Sequence, residues 1–242
     1  MTDTFDVIIL IARPAAGKSE LARYLRSVDL RSRVGRFHIG EFEEIDDFPM
    51  LWAWFEEDHI LTDMGKPRLH TTPDGYFKDT YQWDLLIRRI GLEYTKRVHE
   101  NPHYHRHATT IIEFARGSEH GGFGRAFAQL SGDILQRAVV LYIDVSYEES
   151  FRKNRRRYNP DRPYSILEHG LPDEKLEVLY RENDWAELSG VDDAYLHIGD
   201  RHIPFAVLEN EDDVTTEGGE ALGSRLEKVM HLLWERSRTT QP

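Results

Sequence analysis

Residues 5–19 read FDVIILIARPAAGKS, and the fold turns on how this stretch is read. The run over 5–12 is apolar and rich in β-branched side chains, too short for a buried helix, and closed by Arg13 and Pro14. It predicts a central strand. From Gly17 onward, GKSELARYLRSVDL sets Leu21, Leu25 and Val28 at helical spacing, so a helix opens directly after a short turn. The turn, ARPAAGKS over 12–19, matches G-x-x-x-x-G-K-[ST] with Ala12 in place of the first glycine. Between a strand and a helix, such a loop turns backbone N–H groups inward around a polyphosphate, and the helix N-terminus adds partial positive charge. Arg13, Pro14, Ala15, Ala16, Gly17, Lys18 and Ser19 are therefore the candidate nucleotide-binding residues, with Lys18 on the β and γ phosphates and Ser19 on Mg²⁺. The bland alternative is a strand-to-helix turn with an incidental Gly-Lys-Ser. Ala12 impairs binding if its position needs positive φ and is harmless if its backbone is extended.

Outward from this loop, strands alternate with helices. Further strands are expected at 36–39, 107–114, 138–145, 194–198 and 203–208, and helices at 50–60, 81–98, 122–137, 148–158 and 220–236, with DEKLEVLYRENDW (173–185) helical as well. With no dominant hairpin signal, the alternation implies a mainly parallel sheet covered on both faces, a three-layer α/β/α domain spanning 1–242. Residues 42–106 read as an inserted helical lobe and 151–172 as an Arg-rich segment. The stretch DVTTEGGE (213–220) reads as a mobile loop, and the terminal SRTTQP as a fraying end.

Composition narrows the function. The 242 residues carry 31 Lys plus Arg against 43 Asp plus Glu, a net charge of −12, which opposes nonspecific binding to nucleic acid. There is no cysteine, hence no disulfide, thiolate nucleophile or Cys-based zinc site, in keeping with a reducing cytoplasmic setting. No apolar run approaches the length of a membrane span. The expected partners are a small-molecule phosphoacceptor and, for the chain itself, a second copy in a homodimer.

On the phosphate loop and this element order, the sequence resembles the P-loop nucleoside and nucleotide kinases. The resemblance implies a parallel sheet, a phosphate loop after strand one, an acceptor-binding helical lobe after strand two, and an Arg-bearing lid. It implies ATP and Mg²⁺ as well. In that frame Glu41, at the expected end of strand two, is the candidate acceptor acid, ahead of Glu43 and Glu44. Eight acids and no Lys or Arg lie between Glu41 and Asp58, so a solvated charge run is the competing reading.

Glu113, at the expected C-terminal edge of a strand, is the candidate for positioning Mg²⁺ beside Ser19. Arg116 is the candidate for an acceptor phosphate or carboxylate, unless it simply pairs with Glu113. In FRKNRRRYNPDRP (151–163), six cations face one acid, and Arg152, Arg155 and Arg156 share a helix face from which guanidinium groups can converge on phosphate oxygens. Asn159, Pro160, Arg162 and Pro163 are expected to hinge this lid. A basic face paired with nearby glutamates is the alternative. Gly199 and Asp200, with Arg201, in IGDRHIP follow a predicted strand, and the resemblance gives such a loop an adenine contact, with an ordinary surface turn as the alternative.

Two clusters stand apart. His103, His105 and His107, with His99 nearby, fall on one face if extended, a metal-binding arrangement or a surface turn. The aromatics of LWAWF together with Tyr76, Phe77, Tyr81 and Trp83 read as core or as a stacking surface for an acceptor. An acidic, aromatic lobe suits an uncharged or cationic hydroxyl compound better than a polyanion. The leading function is thus an ATP-dependent, Mg²⁺-requiring phosphotransferase acting on a small molecule such as a nucleoside or nucleotide. Alternatives are a P-loop NTPase or nucleotide-dependent switch without an acceptor, and a binding protein that has lost catalysis.

Overall fold

The structure, a computed structural model, describes residues 3–157, 161 and 170–239. The predicted hinge residues Asn159, Pro160, Arg162 and Pro163 and the last residues of the chain lie outside them. In chain order, β1 (Val7–Ala12) leads through the phosphate loop to α1 (Lys18–Ser27) and α2 (Leu30–Phe37), followed by β2 (Glu41–Asp46). Then come α3 (Asp47–Asp63), α4 (Tyr81–Glu100), β3 (Ala108–Phe114), α5 (Gly122–Gln129), α6 (Gly132–Arg137) and β4 (Ala138–Asp144). The chain continues through α7 (Tyr147–Arg157), α8 (Asp173–Tyr180), α9 (Trp185–Ser189), β5 (Tyr195–Ile198), β6 (Arg201–Glu209), α10 (Val214–Glu217) and α11 (Gly219–Arg238).

The sheet has six strands in the order β2-β3-β1-β4-β6-β5, parallel except for β5. β1 is wholly buried because it is central and covered on both faces, which is why its sequence is continuously apolar rather than alternating. Side chains of one parity (Ile8, Leu10, Ala12) pack with α1, α2 and α11, and the other parity (Val7, Ile9, Ile11) packs with α4, α5 and α6. The expected three layers are present, with α3 and α4 set between β2 and β3.

Several local expectations need correction. Of the strand expected at 36–39, the first two residues end α2, which is capped at its start by Asp29 accepting from the Ser32 amide (3.0 Å), and the other two link it to β2. The strand itself is EFEEID, 41–46. As an edge strand it needs no apolar face on its open side, so its charges hid it. Arg26, Arg33 and Arg97 pair with its Glu44, Glu41 and Glu43. The single helix expected over 122–137 breaks at Leu130 and Ser131 into α5 and α6. β5 and β6 form an antiparallel hairpin, so the tight turn at Gly199 was missed as a hairpin signal. The stretch read as a mobile loop holds α10, with Val214 and Thr215 buried.

In the α3–α4 lobe the aromatics pack on one another. Trp54 stacks on His70 at 4.8 Å and meets Phe77 at 5.8 Å, and Phe77 meets Trp83 at 4.7 Å. The fully buried Asp58 ties down the loop that follows α3. It accepts from the amides of Leu69, His70 and Thr71 and from the Thr71 hydroxyl. Burial alone would raise its pKa, but these hydrogen bonds outweigh that and hold it at about 2.

Candidate active site

The phosphate loop leaves β1 at the C-terminal edge of the sheet, where open α/β sheets bind ligands. Ala12 is extended, pairs with Ile143 of β4 and is fully buried, so its Cβ belongs to the core and strains nothing. The strained alanine is Ala15, at φ +56°, a left-handed conformation that costs a non-glycine residue about 1–2 kcal/mol. Ala15→Gly is therefore expected to raise stability by about 0.5–1 kcal/mol after the extra chain entropy of glycine is deducted. A urea midpoint that falls instead would contradict this reading of the loop.

Gly17 stands at φ +111° and caps α1 with no side chain, which leaves the first amides of the helix without an intrahelical partner. A Cβ there would come within 2.3 Å of Thr215 Oγ1 and 2.8 Å of Asn210 Nδ2. Asn210 directly follows β6 and Thr215 lies in α10, and together they hold the phosphate loop in place. Buried Asn210 donates to the Ala16 carbonyl (2.8 Å) and to Thr215 Oγ1 (2.7 Å), and accepts from the Thr215 amide. Ser150 of α7 donates to the Pro14 carbonyl at 2.7 Å, and Arg13 donates to the carbonyls of Tyr180 and Arg181. Arg13 is thus engaged with the end of α8, outside the amide cradle.

Beside this loop lies a cleft of about 200 Å³, lined by Ala15–Glu20 on one side, by Lys153, Arg156 and Arg157 on the other, and by Asp213 and Thr216. The cationic face of α7 is therefore one residue out of phase with the predicted Arg152, Arg155 and Arg156. Arg156 lines the cleft, but Arg155 turns away to Asp173 (2.6 Å) and Arg152 pairs with Glu149 (2.7 Å). Buried Lys153, whose role the sequence did not suggest, takes the inward position, 2.7 Å from Asp213. Asp213 gathers Arg152, Lys153 and Arg156 around one carboxylate. Burial opposes its charge, but hydrogen bonds from Lys153 and Thr216 keep its pKa below the usual range.

The acids are redistributed too. Glu41 starts β2 opposite Ala108, the first residue of β3, so it lies at the sheet edge away from the phosphate loop and pairs with Arg33 at 3.6 Å. Its assignment as the acceptor acid followed from the misplaced strand and does not survive. The residue that ends β2 is Asp46, in register with Glu113 of β3 at the phosphate-loop edge. Burial, then neighbouring Asp47, pushes Asp46 up to about 6, with Lys18 working against the rise. Glu113 is 5% exposed, and burial raises it to about 8, opposed by Lys18 and reinforced by Asp46. Lys18, Asp46 and Glu113 thus share one electrostatic environment, and Arg157 feels both acids.

Arg116 does not pair with Glu113. It is buried against Asp47 at 2.6 Å, with its guanidinium over the Trp83 ring at 5.1 Å. Gly199 and Asp200 form the β5–β6 turn and Arg201 begins β6, at the edge opposite the phosphate loop, so all three are remote from the cleft. The loop after the C-terminal end of β6, residues 210–213, is the one that reaches it. The histidine cluster also lies at the far edge, in a 3₁₀ turn at Tyr104–Arg106 rather than an extended segment.

The parallel sheet, the phosphate loop after its central strand and the helices between β2 and β3 are the features that the kinase resemblance requires. The fold is a three-layer α/β/α domain with a mainly parallel sheet. Two solved structures are similar to the chain over nearly its whole length. One is a gluconokinase from Sinorhizobium meliloti 1021, 13% identical with a TM-score of 0.43, covering 97% of this chain and 99% of that one. The other is APE1195, 15% identical with a TM-score of 0.38, covering 94% and 98%. No family model matches the chain, and neither does any curated protein. Among the described residues, no helix is long and apolar enough to cross a membrane.

Proposed function

We propose that the protein is an ATP-dependent, Mg²⁺-requiring kinase that phosphorylates a hydroxyl group of a small molecule. The observation that carries this is the convergence at one sheet edge of the phosphate-loop Lys18, the half-buried Asp46 and buried Glu113, and the cations Lys153, Arg156 and Arg157 across the cleft. Phosphoryl transfer asks mainly for positioning and charge stabilisation, and this set supplies both.

In this reading the α1 amides and Lys18 hold the β and γ phosphates, and Lys153, Arg156 and Arg157 balance charge on the transferred group. Asp46 accepts the proton of the acceptor hydroxyl as its oxygen bonds to the γ-phosphorus and the bond to the ADP oxygen breaks. A carboxylate raised to about 6 is close to the best match for a base working near neutrality. Arg116 acts at one remove, fixing Asp47 beside Asp46. Ser19 and Glu113 offer oxygen donors that would suit Mg²⁺, which would supply charge neutralisation for the phosphates when bound. Since Glu113 is raised to about 8, its engagement with a cation at neutral pH releases a proton.

The acids Asp47 and Glu44 beside Asp46 and the stacked aromatics of the α3–α4 lobe favour a neutral or cationic acceptor, such as a nucleoside or an amino alcohol, over a polyanion. ADP formation from Mg²⁺·ATP, measured with pools of nucleosides, nucleotides, sugars and amino alcohols, tests the proposal. Stimulation by one pool is the expected result. A slow rate that no pool changes would point to an NTPase or switch instead, and no ADP under any condition would overturn the assignment.

A further inference from the structure

At the sheet edge opposite the phosphate loop lies a second cavity of about 260 Å³, lined by Asp6, Val98, Pro102, His103, Tyr104, His105, Arg106 and Arg137. Its walls are set by the sheet itself. Asp6 precedes β1 and accepts the Thr110 amide of β3 on its carbonyl (2.9 Å), Arg137 ends α6 just before β4, and the 3₁₀ turn leads into β3. The starts of three adjacent strands therefore fix the cavity, and it stands apart from the cleft proposed for nucleotide.

Its chemistry is cationic within a chain of net charge −12. Two arginines face one acid. Arg137 spends a single N–H on Asp6, at 2.7 Å, out of the five that a guanidinium carries. His105 is a wall rather than a ligand. Its Nδ1 faces the Ala108 carbonyl (3.3 Å), so it bears the proton, and its Nε2 accepts from the Tyr94 hydroxyl (2.9 Å). Arg106 and His103 are exposed at the rim, on the same turn. Two guanidinium forks and an imidazole around one cavity match the oxygens of a tetrahedral anion, so the ligand chemistry they favour is a phosphate group.

We propose that this cavity is a second ligand site, which binds a small phosphate-bearing molecule through Arg106, Arg137 and His103. The histidine-rich turn, which the kinase site leaves without a role, then serves as one wall of an anion pocket.

The test is calorimetric titration of the full chain carrying Lys18→Ala, so that the phosphate loop is disabled, with inorganic phosphate and with glycerol phosphate as probes. Saturable binding of either probe is expected, and which of them binds shows whether the source is free phosphate or a phosphomonoester. Adding Arg106→Glu, an exposed position, is expected to weaken binding about tenfold or more. Lys228→Glu, an equal charge change on α11, should leave it within about twofold, as expected for a screened surface charge. Arg137→Gln gives a second reading from the other wall and should also weaken binding. Absence of binding by both probes, or equal affinity in the Arg106→Glu and Lys228→Glu proteins, would overturn the proposal.

Discussion

Lys18→Ala is expected to cut turnover by about a thousandfold, the scale on which a preorganised charge at a transferring phosphoryl group acts. The fold should survive it, with a melting midpoint within a few degrees of the parent (about 1 kcal/mol or less). The side chain is only partly buried and leaves no cavity in the core. A second consequence separates loss of a phosphate ligand from a general disturbance. Lys18 lowers the pKa of both Asp46 and Glu113. Without it both acids rise further, so the residual activity should need a higher pH, with the acid limb of its kcat/KM profile displaced upward. Steady-state kinetics across pH 5 to 9 (about the range of ordinary buffers around these two acids) reads both effects. Unchanged turnover would remove the phosphate loop from the mechanism.

The parts of this site that the sequence revealed are those built from local rules. A continuous apolar strand, a glycine that leaves a helix N-terminus open and a following lysine announce themselves within fifteen residues, and Glu113 follows from the strand near whose C-terminal end it sits. The candidate acceptor acid was placed at Glu41 because β2 is an edge strand whose alternating charges resemble a solvated run. The shift of that strand from 36–39 to 41–46 carried the candidate from one edge of the sheet to the other.

The residues that brace the phosphate loop were hidden for a different reason. Asn210 and Thr215 touch Ala16 and Gly17 across nearly the whole chain length, and no periodicity encodes such a contact. Lys153 was obscured by its neighbours. In a run of six cations, spacing alone cannot say which face of α7 turns inward, whereas the position of Asp213 decides it. Ala15 shows the converse: the motif drew attention to Ala12, but the dihedral angles place the strain three residues later.

Asp46→Asn is expected to lower turnover by about a hundredfold to ten-thousandfold, the contribution typical of a positioned general base, while making the protein more stable. The sign follows from its raised pKa. A carboxyl at about 6 in the folded chain and near 3.8 in the unfolded one is held protonated by the fold, so its ionisation opposes folding. That penalty is absent below the unfolded value, grows as pH rises between the two and is complete above about 6. At 1.36 kcal/mol per pKa unit it reaches at most about 3 kcal/mol, reduced by screening where the side chain meets solvent.

Asparagine keeps the shape and removes the charge. The stability gain should therefore appear in urea titrations at pH 8 and vanish at pH 4. In the parent protein, the kcat/KM profile should fall on the acid side with an apparent pKa near 6, and the variant's residual rate should lack that limb. A merely structural Asp46 predicts the reverse pairing, with stability lost and the pH profile kept. Glu41→Gln provides the contrast, because a carboxylate at the opposite sheet edge, paired with Arg33, has no route to the reacting atoms and its loss should leave the acid limb in place.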